Sequence, residues 1–95
     1  MSSKTYILEY DYIEGILEKR TPFRPEHINL AKDFVNNKHI KAGGPYADAS
    51  GALFVFQVED DALVHEFVNA DPYVSAGLVT SHRVRELTVG VGGLD

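Results

Sequence analysis

The chain has 95 residues, no cysteine and a net charge of −5, with nine Lys and Arg against fourteen Asp and Glu. That length holds one domain, spanning 1–95, and the acidic balance repels a phosphate backbone, so no nucleic-acid partner is expected. Without cysteine there are no disulfides and no zinc–thiolate sites; no run nears the ~18 apolar residues of a membrane span, and residues 1–5 carry no apolar signal core, so no membrane partner and a cytoplasmic location are expected.

Residues 5–10 (TYILEY) are β-rich and predict the first strand. Residues 11–23 are polar, with Gly15, Glu18, Lys19, Arg20 and Pro22, and predict a long connection of the kind that often serves function. Residues 24–38 predict a helix. Pro25 suits its first turn, where a missing N–H costs nothing, and Glu26 complements the helix dipole. Counting from His27, the residues Leu30, Ala31, Phe34 and Val35 form one apolar stripe at about 3.6 residues per turn. His27 lies in line with that stripe and so faces inward at a helix start.

Residues 39–42 predict a short second strand, closed by Gly43-Gly44-Pro45 as a turn. Residues 52–58 (ALFVFQV) predict the third strand, the strongest in the chain. Asp60 or Asp61 can cap a second helix running to about residue 70, with Leu63, Phe67 and Ala70 inward and His65 on the solvent face. Asp71-Pro72-Tyr73 breaks that helix and can start a short turn of another. Residues 78–89 predict the last strand, and residues 90–95, rich in glycine, a mobile tail.

The order is βαββαβ, the ferredoxin-like α+β arrangement: an antiparallel sheet with both helices on one face. The third strand is apolar on both sides, with Leu53 and Val55 opposite Phe54, Phe56 and Val58. A sheet wet on one face alternates more cleanly, so a second subunit covering the bare face is expected, making a homodimer.

His27 is either a general acid or base, poised because imidazole titrates near neutrality, or a buried histidine bonded to a backbone carbonyl. The helix N-terminus pushes it toward the neutral, proton-accepting form. Asp71 is either a cap on the turn that Pro72 begins or the carboxylate that orients His27, and one residue can do both. Arg20 and Arg24 either clamp a small anionic ligand bidentately or stand as solvated loop charges. Gly43 and Gly44 either bring backbone N–H groups toward a ligand or only turn the chain. His39, His65 and His82 form no metal-ligand spacing with His27, so no metal is expected, and no fingerprint for a cofactor is present. Ser75 and Ser81 lack the context of a nucleophile elbow.

Glu18-Lys19-Arg20, Arg24-Pro25-x-His27, Ala42-Gly43-Gly44-Pro45 and Ala70-Asp71-Pro72-Tyr73-Val74-x-Ala76-Gly77-Leu78 together resemble the YciI-like (YCII-related) family across nearly the whole chain. The resemblance implies a dimeric α+β barrel of ferredoxin-like subunits, and a cleft whose His–Asp pair, here His27 and Asp71, has been proposed as an active site. It also implies Tyr73, within the Asp-Pro-Tyr segment, as a neighbour of bound substrate. The family usually has Ala-Gly-Pro where this chain has Ala42-Gly43-Gly44-Pro45, which predicts a turn one residue longer. Relatives include a dehydrochlorinase of chlorinated aromatic breakdown, and the wider superfamily includes lactone isomerases and haem-dependent oxygenases. A haem role leaves Asp71 idle, so it fits least. The expected function is a small enzyme of unassigned substrate using the His–Asp pair for elimination, isomerisation or hydrolysis; the alternative is a non-catalytic module that binds a small metabolite.

Overall fold

Side-chain alternation organises the sheet. In β1 (Lys4–Tyr12) the residues Tyr6, Leu8 and Tyr10 are buried while Ile7 and Glu9 are half-buried. In β3 (Gly51–Val58) Phe54, Phe56 and Val58 are buried and Leu53 and Val55 half-buried. The antiparallel register sets Tyr6 against Phe56, Leu8 against Phe54 and Tyr10 against Ala52, so the buried residues share one face. The computed structural model, which describes residues 3–93, completes the sheet with β2 (Ile40–Pro45) and β4 (Val79–Leu87) in the order β2-β3-β1-β4.

A short helix α1 (Ile16–Lys19) precedes α2 (Arg24–Asn36); α3 (Ala62–Ala70) and a turn of helix α4 (Pro72–Ser75) precede β4. Helix α2 contributes Phe34, and α3 contributes Val64, Phe67 and Val68, to the core that covers the buried sheet face. Phe67 stands at its centre, with ring centroids 5.2 Å from Phe34, 5.2 Å from Phe54 and 5.7 Å from Phe56. Edge-on and tilted contacts of this kind are the favoured arrangement of aromatic quadrupoles. The ferredoxin-like α+β fold expected from the sequence is thus the fold observed. None of the described helices is long and apolar enough to cross a membrane.

Four local expectations need correction. The connection after β1 is not all loop: β1 continues through Tyr12, and α1 forms because Ile16 finds a buried place against Tyr73 and Leu78. Gly43-Gly44-Pro45 is not a turn. These residues belong to β2, with Gly43 opposite Phe54 and Gly44 opposite Leu53. The additional residue is absorbed as a register shift between Ile40 and Ala42, the two-against-one pairing of a bulge. A Cβ on Gly43 would overlap the Phe54 ring, so this position needs glycine for close approach.

The helix stripes also end sooner than the spacing suggests. Val35 is 47% exposed; eight residues after His27, at about 100° per residue, it sits about 80° round the helix and leaves the core. In α3 the buried set is Val64, Phe67 and Val68, with Leu63 half-buried and Ala70 exposed. Residues 90–93 form neither helix nor strand, and the last two residues of the expected tail lie outside the described residues.

Candidate functional site

Four elements converge on one buried carboxylate. Asp71 sits between α3 and α4 in an extended conformation and is fully buried. As the residue before a proline it cannot comfortably continue the helix, so the chain turns there. Its Oδ1 accepts a hydrogen bond from the Tyr73 backbone N–H at 2.9 Å, the cap expected of an Asp before Pro. The same oxygen lies 2.8 Å from Nδ1 of His27, and Oδ2 accepts from the Tyr10 hydroxyl at 2.9 Å. Cap and histidine partner are one residue, as the sequence allowed.

His27 stands in the first turn of α2, in phase with Leu30, Ala31 and Phe34, and is 6% exposed. Its ring lies flat against Tyr73, with centroids 3.8 Å apart and planes within 5°. Phe54 meets it edge-on at 6.2 Å. The imidazole is therefore held by a stack on one side and a hydrogen bond at Nδ1. An ionised carboxylate accepts but cannot donate, so Nδ1 carries the proton by assignment and Nε2 carries the lone pair. Among the described residues no side-chain nitrogen or oxygen sealed from solvent lacks a partner. Nε2 has no protein partner, so it keeps contact with solvent and is free to exchange a proton.

Burial, reinforced by the charge and hydrogen bond of Asp71, holds the Tyr10 phenol far above its usual range. Tyr10 is thus a fixed donor. Burial likewise raises Tyr12 and Tyr73. The Arg20 guanidinium opposes the rise at both, and Arg24 opposes it at Tyr73. The two arginines therefore act on the phenol that stacks against His27. They line a cavity of about 490 Å3 between α1 and α2, together with Leu17, Thr21, Pro25 and Ile28. His27 is not in the wall of that cavity.

Of the residues singled out in the sequence, His27, Asp71 and Tyr73 are in mutual contact, while Arg20 and Arg24 line the separate cavity between α1 and α2. Gly43 and Gly44 do not join them; Gly43 acts from behind, giving room to the Phe54 ring that meets His27. His65 is on the solvent face, 3.2 Å from Asp61, and His39 packs against Phe34. Tyr10 is the member that sequence reasoning missed. Its signal was there: it shares the buried phase of Tyr6 and Leu8, and a buried phenol needs a hydrogen-bond partner.

A four-stranded antiparallel sheet backed by helices, with a buried His–Asp pair at one end, defines an α+β protein of the ferredoxin-like class. The chain belongs to the YCII-related domain family, whose sequence model matches residues 4–88. No curated protein matches the chain. Among solved structures it is similar to the 5-chloro-2-hydroxyhydroquinone dehydrochlorinase of Burkholderia phenoliruptrix, determined in complex with 2,5-dihydroxybenzoquinone, with a TM-score of 0.77 and 23% identity over 90% of this chain and 95% of that one. It is also similar to a proposed antibiotic biosynthesis monooxygenase from Bacteroides thetaiotaomicron, with a TM-score of 0.60 and 13% identity over 99% and 95% of the two chains. A Pseudomonas aeruginosa protein matches with a TM-score of 0.60 and 13% identity, over 96% and 97%. At these identities the likeness is one of fold.

Proposed function

We propose that this chain is a small cytosolic enzyme that moves a proton on a small molecule. His27 Nε2 is the general base or acid, and Asp71 holds the Nδ1–H tautomer and offsets the imidazolium that forms. The observation that carries this is the 2.8 Å contact between Nδ1 and a carboxylate whose other oxygen is already engaged by Tyr10. A histidine kept only for packing has no need of a fully buried carboxylate, because a backbone carbonyl serves at lower desolvation cost. The reaction class is elimination, isomerisation or hydrolysis. The likeness to a dehydrochlorinase supports elimination, in which a base removes a proton as a leaving group departs. Arg20, Arg24 and Tyr73 belong to the substrate side of the site, and no bound metal or cofactor is needed for such a step.

A homodimer belongs to the same reading. Ile7, Leu53 and Val55 stand on the sheet face away from the helices and are half-buried in the single subunit. A second copy laid on that face removes them from water, at roughly 25 cal/mol per Å2 of apolar area.

The low exposure of His27, outside the wall of the neighbouring cavity, favours a second reading: a non-catalytic module that binds a small metabolite. One experiment separates the two. The protein and its His27→Asn variant are incubated with chlorinated hydroxyhydroquinones, small aromatic acids and lactones in deuterated buffer, and products and deuterium uptake are followed by NMR. Turnover or exchange that is lost in His27→Asn supports the enzyme. Compounds that bind and are returned unchanged by the wild-type protein support the module.

A further inference from the structure

Arg20 and Arg24 line one cavity, and neither has an ion-pair partner among the described residues. The chain has fourteen carboxylates and nine Lys and Arg side chains. Yet the ion pairs among the described residues are His27–Asp71, His65–Asp61 and Arg83–Glu9, and neither Arg20 nor Arg24 belongs to one. Glu18 and Glu26 sit on the adjoining turns and still do not pair with them. Two guanidinium groups lining one cavity repel each other, and in an acidic protein that repulsion is easily relieved by a nearby carboxylate. Here it is left standing.

The cavity has a second character. Leu17, Pro25 and Ile28 supply apolar wall beside the two charges. Leu17 is 58% exposed, so its apolar surface is open to a ligand in the cavity. A cavity with an apolar wall and a few convergent polar groups suits an organic molecule, and an arginine fork suits a planar oxyanion bound through two parallel hydrogen bonds. Inorganic phosphate satisfies the charges but has no body to cover the apolar wall.

We infer that the cavity between α1 and α2 is a carboxylate subsite, in which Arg20 and Arg24 grip the carboxylate of a small organic acid while Leu17, Pro25 and Ile28 cover its carbon body. This deepens the function proposed above, since the ligand so anchored is the molecule presented to His27. The link is α2, on which Arg24 stands one turn before His27, whose ring lies 3.8 Å from that of Tyr73.

The test uses benzoate as probe, benzamide as its neutral isostere, and inorganic phosphate. Each is titrated into the 15N-labelled protein at millimolar concentrations, following backbone amide shifts. Benzoate shifts Leu17, Thr21, Arg24 and Ile28 saturably. Benzamide and phosphate bind at least about tenfold more weakly, and Arg20→Gln or Arg24→Gln weakens benzoate by about tenfold, whereas Arg85→Gln on β4 does not. Added NaCl weakens benzoate but not benzamide, a readout that needs no variant. Equal binding of benzoate and benzamide, absence of saturable shifts, or indifference to both arginine substitutions overturns the subsite. His27→Asn retains benzoate binding, so a failure of the subsite leaves the proton-transfer role of His27 untouched, and a failure of that role leaves the subsite standing.

Discussion

The Tyr10 hydroxyl donates to Oδ2 of Asp71 at 2.9 Å, joining residues 61 apart in the chain. With the bonds from His27 and the Tyr73 N–H, it gives the buried carboxylate three donors. Removing it in Tyr10→Phe leaves Oδ2 with a bare lone pair in the core. The expected cost is about 1.5–3 kcal/mol of stability, the usual range for a hydrogen bond to a charged group. Urea denaturation of wild type and variant measures that cost.

Asp71→Asn removes the charge but keeps an oxygen that can accept from both the Tyr73 N–H and His27 Nδ1. The α4 cap survives in part. Activity, once a substrate is in hand, falls by about two to four orders of magnitude, the usual contribution of positioned acid–base catalysis. Activity equal in wild type and Asp71→Asn would falsify the coupling.

The raised phenols of Tyr10 and Tyr12 make the protein sensitive to alkali. A phenol whose folded pKa exceeds its unfolded value contributes stability that is complete below the unfolded value, about 10, and is lost as pH rises beyond it. Stability should therefore decline above about pH 10, by up to about 1.4 kcal/mol per pH unit for each such group. Denaturation midpoints across that range give the slope, and Tyr10→Phe should flatten it by one group's share. A slope unchanged by that substitution means that Tyr10 ionises as freely in the folded state as in the unfolded one.

Assembly is tested on the exposed sheet face. Val55→Glu places a charge beside Ile7 and Leu53 without touching the helices or the His27 site. Sedimentation at micromolar concentration should show a dimer for the wild type and a monomer, less stable to heat, for the variant. A stable wild-type monomer sinks the dimer.

Much of the site was legible because two short-range rules located it independently. Helical spacing put His27 on the inward stripe, and the Asp-Pro step put Asp71 at a cap. Their contact spans 44 residues, which no local rule reaches. The packing of α2, which carries His27, against α4, which Asp71 caps, is what carries them to within 2.8 Å. Tyr10 was missed for the same reason: alternation marks it as buried, but only its position at the end of β1 beneath α4 gives its hydroxyl the carboxylate of Asp71.

Gly43 and Gly44 failed in the opposite direction. Gly-Gly-Pro is turn chemistry by composition, since glycine is permissive and proline lacks a donor. On an edge strand the proline's missing donor costs little, and β2 is the edge of this sheet. Partner strand β3 and the Phe54 ring, neither of them local, decided that these residues extend the sheet.

The sequence by itself determined the order of the four strands and the two longer helices, the inward face of His27 and the cap at Asp71, because side-chain period and turn chemistry act between residues a few positions apart. The tertiary structure alone decided the His27–Asp71–Tyr10 contacts, the stack on Tyr73 and the pairing of Arg20 with Arg24 in one cavity. Those depend on where packing brings distant segments together, and packing is a property of the whole core.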